Sequence, residues 1–342
     1  MRFQALASLR DLDAQEFDRL DASCGPVGCH SRLLQLERDR RWATEYLCAY
    51  EGSTLVAAVP LYRLKVSAWP DPSYDPASWG LDQTLPSADA TVVGGRSGLL
   101  SSLHVASDVS ATSHVRLVEE LLAREPRRSL VLPFLTENQL EPWKEVLGPG
   151  LKHQVFGADA RFDRPLAAAA VALPRKVRQT LNADQRTAER FGVESAVRTW
   201  SEVRSFAAGL IARNSRAYGL PDAEQLVDFR IRQWEACEEV SVVALTASAL
   251  GECGVTVGVI WRDWMDLQEM GLTGDPSEVR RTLYAQLLFH LPIQFARQHG
   301  GVKHIRAGIK AEQPKTIRGA SFVPLAVGTF TFSSRQDGRS AT

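Results

Sequence analysis

From Tyr46 to Leu64 the chain reads YLCAYEGSTLVAAVPLYRL. Two apolar, β-branched and aromatic runs flank Glu51-Gly52-Ser53, the pattern of a strand, a turn and a second strand. Val240 to Met270 extends the same plan to three strands, with turns around Gly251 and at Arg262-Asp263. Each passage follows a helical segment and precedes another. The pattern therefore predicts two copies of an α/β unit with a junction near Pro165, a repeat of architecture rather than of sequence.

Apolar residues at three- and four-residue spacing predict helices over 13–20, 113–124, 174–191, 201–214, 222–235 and 280–298. The last of these carries Leu283, Leu287, Leu288, Leu291 and Phe295 on one side, and Gly300-Gly301 ends it. Strands are expected at 304–307 and 327–332, and the polar end from Ser333 reads as a mobile tail. Trp69 to Trp79, WPDPSYDPASW, is too rich in proline for regular structure. It reads either as a packed surface loop or as an aromatic wall for a ligand.

Composition narrows the class. The chain has 342 residues, room for two compact domains, and 40 Lys and Arg balance 40 Asp and Glu. With 44% hydrophobic and 23% charged residues, it is neither a disordered chain nor a basic packaging protein. The longest apolar stretch, Pro165 to Pro174, is about half of what a membrane span needs. Asp11, Asp13 and Glu16 lie where a signal peptide needs its apolar region, so a cytoplasmic protein is expected. The five cysteines form no CxxC pair and read as reduced thiols. Cys24, Cys29 and His30 lack a second ligand pair, so no metal is expected there.

No GxSxG, GxxxxGK[ST], HExxH or Rossmann fingerprint is present. What remains is a strand, a turn and a helix: Asp266-Leu267-Gln268-Glu269-Met270-Gly271-Leu272-Thr273-Gly274-Asp275, followed by Arg280 and Arg281. Amides at a helix start together with two arginines suit an anion, or the arginines simply face solvent. Two segments of the second half are net basic. One is the helix carrying Arg175, Lys176, Arg178, Arg186 and Arg190, and the other is the stretch with Arg297, Lys303, Arg306, Lys310, Lys315 and Arg318. A polyanionic partner follows as an expectation, with coenzyme A and transfer RNA as candidates.

The stretch YAQLLFHLPIQFARQHGGVKHIRAGIKAEQPKTIRGASFVPL, Tyr284 to Leu325, supplies Gly308, Lys315, Arg318, Gly319 and Pro324. With the upstream LPRKVRQTLNADQRTAERFG and the first-half segments AAVPLYRLKVSAWPDPSYDPASW and VVGGRSGLLSSLHV, it resembles the Fem-like, double-GNAT acyltransferases. The resemblance implies an α/β (α+β) fold of two tandem GNAT-like units, each a mixed, mainly antiparallel sheet flanked by helices. It divides the chain into an acceptor-side unit at 1–164, a donor-side unit at 165–335 and a tail at 336–342. It also implies transfer of an aminoacyl group from aminoacyl-tRNA to an amine, hydroxylamine or peptide nitrogen, with no cofactor. Acyl-CoA is the alternative donor, and a non-catalytic RNA- or partner-binding protein is a third possibility. Gly271-Leu272-Thr273-Gly274-Asp275-Pro276 departs from the acyl-CoA signature [QR]xxGx[GA], which weighs against acetyl-CoA.

On that basis the donor lies where the strand of Glu269 and the strand of Ile305 splay. Glu269 is the candidate base, Tyr284 the proton donor, and Lys310 or Lys315 the oxyanion stabiliser. Lys176, Arg178, Gly271, Gly274, Arg280, Arg281, Lys315 and Arg318 would hold the donor. Tyr62, Tyr74, Asp75 and Arg96 would meet the acceptor. Strand alternation puts Met265, Leu267 and Glu269 on one face, so Glu269 is either at a pocket mouth or paired with Arg280 or Arg306.

Overall fold

The computed structural model describes residues 1–20, 23–81, 85, 87–125, 128–163, 173–217, 219–220 and 222–332. The junction expected near Pro165 and the tail at 336–342 lie outside the described residues. Two compact units are present: Met1–Gly157 with Pro324–Thr342, and Ala158–Val323.

The first unit contains strands β1 (Arg2–Leu6), β2 (Trp42–Glu51), β3 (Thr54–Leu64), β4 (Ala90–Val93) and β5 (Ser129–Thr136). Its helices are α1 (Ala14–Phe17), α2 (His30–Glu37), α3 (Ala111–Arg124) and α4 (Glu137–Leu147). The expected hairpin forms: Glu51 faces Thr54 across Gly52, whose φ of 62° is the left-handed turn conformation that glycine tolerates. Along β2 the side chains alternate. Leu47 and Ala49 join the core beneath α3 and α4, and Tyr46 and Cys48 join the core beneath α1 and α2. The proline-rich loop folds into short 3₁₀ turns capped by Asp71 and Asp75, and buries Tyr74 and Trp79 around Phe134, at ring distances of 5.0 and 6.2 Å. It is a packed loop.

Strand β6 (Lys152–Asp163) carries the chain into the second unit. There follow α5 (Arg175–Arg190), β7 (Glu194–Arg198), α6 (Trp200–Ala217), α7 (Glu224–Glu235), β8 (Val240–Ala249), β9 (Glu252–Trp261) and β10 (Trp264–Leu272). Then come α8 (Glu278–Ala285), a π turn (Gln286–His290), α9 (Leu291–His299), β11 (His304–Arg306), α10 (Glu312–Thr316) and β12 (Ser321–Phe330). The single helix expected over 280–298 thus contains a π turn just before Pro292, a residue that has no N–H for the regular ladder.

The sheets repeat one plan. In the first unit the strand order is β1-β2-β3-β4-β5-β12, and in the second it is β7-β8-β9-β10-β11-β6. In both, the first three pairings are antiparallel, the fourth is parallel and the last antiparallel. The sequence pattern places the last strand in the second unit. Instead, Leu325 to Phe330 of β12 pairs with β5 in the first. Hydrophobic periodicity marks a strand but does not name its neighbour.

In the second unit one core packs under α8 and α9, with Met265, Leu272, Leu283, Leu287 and Ile305. The other packs under α6 and α7, with Ile211, Val227, Val255 and Val257. Gly271 lets β10 approach α6: a Cβ there would stand 2.5 Å from the Leu210 carbonyl carbon and 2.6 Å from the Ile211 nitrogen. This packing role accounts for a glycine that the sequence suggests for donor binding. Gly271→Ala is expected to destabilise the protein by about 1–3 kcal/mol through overpacking, read as a lower urea midpoint with unchanged slope. An unchanged midpoint would remove the packing role.

Candidate functional site

Strand β10 is the centre of the site. It pairs with β11 only over Trp264–Asp266, and the register ends at Asp266 against Arg306. Just beyond, its pairing with β9 jumps from Leu267–Gly258 to Glu269–Val257, leaving Gln268 as the extra residue of a bulge. The bulge reverses the alternation. Met265 and Leu267, before it, and Met270 and Leu272, after it, all pack toward α8 and α9. Glu269 is therefore turned to the face of α6 and α7, and does not share a face with Met265 and Leu267 as simple alternation implies.

On that face Glu269 Oε1 accepts from Arg230 Nε at 2.9 Å, and its side chain is 20% exposed. Arg230, on α7, also clamps Asp222 with both Nη atoms, at 2.9 and 2.7 Å. The arginine that pairs with Glu269 is thus neither Arg280 nor Arg306. Burial raises the Glu269 carboxyl above its ordinary pKa despite the opposing charge of Arg230.

A second polar cluster lies where β10 and β11 cease to pair. Alternation along β6 sends Ala160 and Phe162 into the α8–α9 core and turns Asp159 and Arg161 the other way. Arg306, buried on β11, donates through Nε to Asp159 Oδ1 at 2.7 Å and through Nη1 to Asp266 Oδ2 at 3.5 Å. Arg161 Nε donates to the other Asp159 oxygen at 2.9 Å, and Gln268 Nε2 reaches Asp266 Oδ2 at 3.3 Å. Asp266 Oδ1 is buried without a hydrogen-bond partner. Lys315, on α10, is buried too and donates to the Gly308 carbonyl at 2.8 Å.

Burial pushes the Asp266 carboxyl up to about 7, against the attraction of Arg306 and with added repulsion from Asp159. Burial also brings the Lys315 ammonium down to about 8, with Asp159 opposing the shift and Arg306 assisting it. Asp266 and Lys315, each beside Asp159 and Arg306, are thus both shifted toward neutrality, the range in which a side chain takes or gives a proton most readily.

The other sequence-derived candidates disperse. Arg280 folds back so that Nη1 donates to the carbonyls of Leu272, Thr273 and Gly274, at 3.2, 2.7 and 2.8 Å. The turn thus offers carbonyls to its own guanidinium, and Gly274 sits in it with φ at 77°. Arg280 is engaged by the turn's own carbonyls. Arg281, Lys176, Arg178 and Lys310 are exposed, whereas Tyr284 is half-buried and packs edge-on to Phe289 at 6.0 Å. Arg318 holds both oxygens of Asp184 on α5, at 2.7 and 2.9 Å, and lies 4.8 Å over Phe289.

In the first unit Tyr62 and Arg96 come together: the guanidinium lies 5.2 Å over the Tyr62 ring and donates to Asp39 at 3.2 Å. Burial lifts the Tyr62 hydroxyl to about 12. Tyr74 accepts from the Leu99 amide, and Asp75 caps a 3₁₀ turn. These two residues serve the loop.

Sequence reasoning misses Asp159, Asp266, Arg306 and Arg230 as a group. For Asp266 and Arg306 the one signal is a charged residue inside an otherwise apolar strand, in Met265-Asp266-Leu267 and Ile305-Arg306-Ala307; Arg230, on a helix, has none. That signal marks a paired or functional charge without naming its partner.

Comparison with solved structures gives the fold its context. The chain is similar to FemX, with a TM-score of 0.58 and 10% identity over 96% of this chain and 97% of that one. It is similar to a conserved protein of unknown function from Bacteroides thetaiotaomicron, with a TM-score of 0.55 and 12% identity over 94% and 96% of the chains. A tandem GNAT protein from the clavulanic acid biosynthesis pathway matches with a TM-score of 0.53 and 15% identity over 97% and 98%. The fold is that of a tandem GNAT protein. No family model matches the chain, and no curated protein matches it either. Among the described residues no helix is long and apolar enough to cross a membrane.

The raised Asp266 value has a consequence for stability. Its folded-state pKa of about 7 lies above the roughly 3.9 of an unfolded chain, so the stability that depends on its proton is complete below pH ~4 and is lost as pH rises through 7. Asp266→Asn, which cannot ionise, is expected to gain on the parent protein across this interval in urea melts. A stability difference that stays flat with pH would show that Asp266 titrates normally.

Proposed function

We propose that this protein is an acyltransferase that moves an aminoacyl group from aminoacyl-tRNA to an amine, hydroxylamine or peptide nitrogen, in natural-product or cell-wall-type biosynthesis. The observation that carries this reading is the buried Asp159–Arg306–Asp266 cluster with Lys315 at the end of the β10–β11 pairing. The tandem GNAT fold shared with FemX and with the clavulanic acid pathway protein supports the transferase class. The exposed Lys176, Arg178 and Arg186 of α5 support a polyanionic donor.

An aminoacyl ester is already activated. Transfer needs an oriented nucleophile, removal of one proton and stabilisation of the oxyanion. Asp266, through its free Oδ1, takes the proton from the attacking nitrogen. Lys315, as the ammonium, stabilises the oxyanion and protonates the leaving oxygen, and Arg306 fixes the Asp266 carboxylate. The roles that the resemblance suggests for Glu269 and Lys310 pass to these buried groups, because Arg230 occupies Glu269 and Lys310 is exposed. Arg318 secures α5 through Asp184 and leaves the donor to its neighbour Lys315. Acyl-CoA remains the rival donor on the same fold, favoured by the likeness to a tandem GNAT protein and disfavoured by the Arg280-filled turn.

Donor identity is tested by incubating the protein with charged tRNA or acyl-CoA and candidate amines, and following acyl transfer. The double variant Lys176→Glu/Arg178→Glu is expected to weaken RNA binding and flatten its log–log salt slope by about 2, close to one for each phosphate no longer neutralised. Transfer from acyl-CoA without RNA affinity at low salt would overturn the donor assignment. Lys315→Met keeps the side chain's volume and is expected to lower kcat by about 10²-fold or more with the fold intact. Full turnover by that variant would remove Lys315 from the chemistry.

A further inference from the structure

The first unit holds a cavity of about 430 Å³ among β3, α3 and α4, lined by none of the residues to which the proposed transfer chemistry is assigned. Its volume falls in the roughly 300–1,000 Å³ range of small-molecule sites. The walls are mainly aliphatic, with Val59, Leu103, Leu117 and Leu121, and one large aromatic residue, Trp143. Two ring nitrogens among the lining residues, His114 Nε2 and Trp143 Nε1, are buried without a hydrogen-bond partner. Gln139, another lining residue, is already engaged, accepting from the Thr136 amide and donating to the Ser101 carbonyl. An unsatisfied buried N–H costs about 1–3 kcal/mol, which a ligand oxygen would relieve. None of the described lining residues is acidic, and the one cationic side chain among them, Arg19, is exposed.

We propose that this cavity binds a medium-chain aliphatic carboxylate. The alkyl chain packs on the aliphatic wall. The carboxylate accepts from Trp143 Nε1–H and from His114 in its Nε2–H tautomer, with Arg19 favouring the negative end. The aliphatic walls select a flexible alkyl body over a planar one, two unpartnered donors select an acceptor head group, and the absence of carboxylates among the described lining residues selects an anion. The assignment rests on the first unit alone and stands or falls independently of the transfer reaction.

Isothermal titration of the full chain with octanoate, octan-1-ol, octylamine and octanoyl-CoA tests it. Saturable binding of octanoate, tighter than that of octan-1-ol or octylamine, is expected. His114→Leu, a change at a half-buried residue that keeps the apolar bulk, should weaken octanoate by about tenfold or more, the worth of a hydrogen bond to a charged group, and weaken octan-1-ol, a neutral acceptor, clearly less. Leu117→Trp fills the cavity and should abolish binding of both; if it does not fold, His114→Leu decides alone. Absence of saturable octanoate binding overturns the proposal. So does equal binding of octylamine, undiminished octanoate binding by His114→Leu, or binding of octanoyl-CoA without octanoate.

Discussion

Arg306 is the residue on which the second unit's polar architecture turns. A guanidinium withdrawn from water must be met by carboxylates, and Arg306 meets one from each neighbouring strand: Asp159 on β6 and Asp266 on β10. It therefore ties three adjacent strands together on the line where the parallel pairing ends. Well-packed apolar residues of similar volume commonly hold a fold as firmly as a buried ion pair, whereas loss of one partner costs about 3–5 kcal/mol. Such a cluster is better understood by what it does to its members than by the stability it adds. It keeps one carboxyl and one amine dry, and so shifts both toward neutrality.

The bulge at Gln268 is the complementary constraint. With regular alternation, Glu269 would enter the apolar core beneath α8 and α9. The extra residue turns it to the opposite face, within reach of Arg230, and restores Met270 and Leu272 to that core. One inserted residue thus gives β10 two acidic positions three residues apart, each with its own arginine. Gly271, two residues after Glu269, closes the strand onto α6. Glycine is required there by a backbone neighbour at close range, a different reason from the anion binding that glycine before a helix usually suggests.

Much of the local structure is legible in the sequence. The hairpins at 42–64 and 240–272 and the helices at 111–124, 175–190, 200–217 and 224–235 follow from hydrophobic period, turn residues and end signals. Helix α4 escapes such a reading, for Pro142 lies inside it and obscures its pattern. The short β4 carries too few residues for a period to declare itself, whereas the similarly short β11 is announced by the apolar residues after Gly300-Gly301. In the basic turn at 271–281 the sequence does not show that Arg280 satisfies the turn's own carbonyls, a contact between side chain and backbone that only the folded turn creates.

What the sequence determined by itself is the set of periodic elements, their duplication and the basic character of α5. Each is a property of neighbouring residues or of simple composition. What only the tertiary structure decided is partnership. Asp159 and Arg306 are separated by 147 positions, Glu269 and Arg230 by 39, and β12 pairs with β5 across most of the chain. Which of many arginines meets which carboxylate depends on strand order, register and a single bulge. Those are settled by the collective burial of both faces of the sheets, a condition on the folded chain as a whole that no short segment carries.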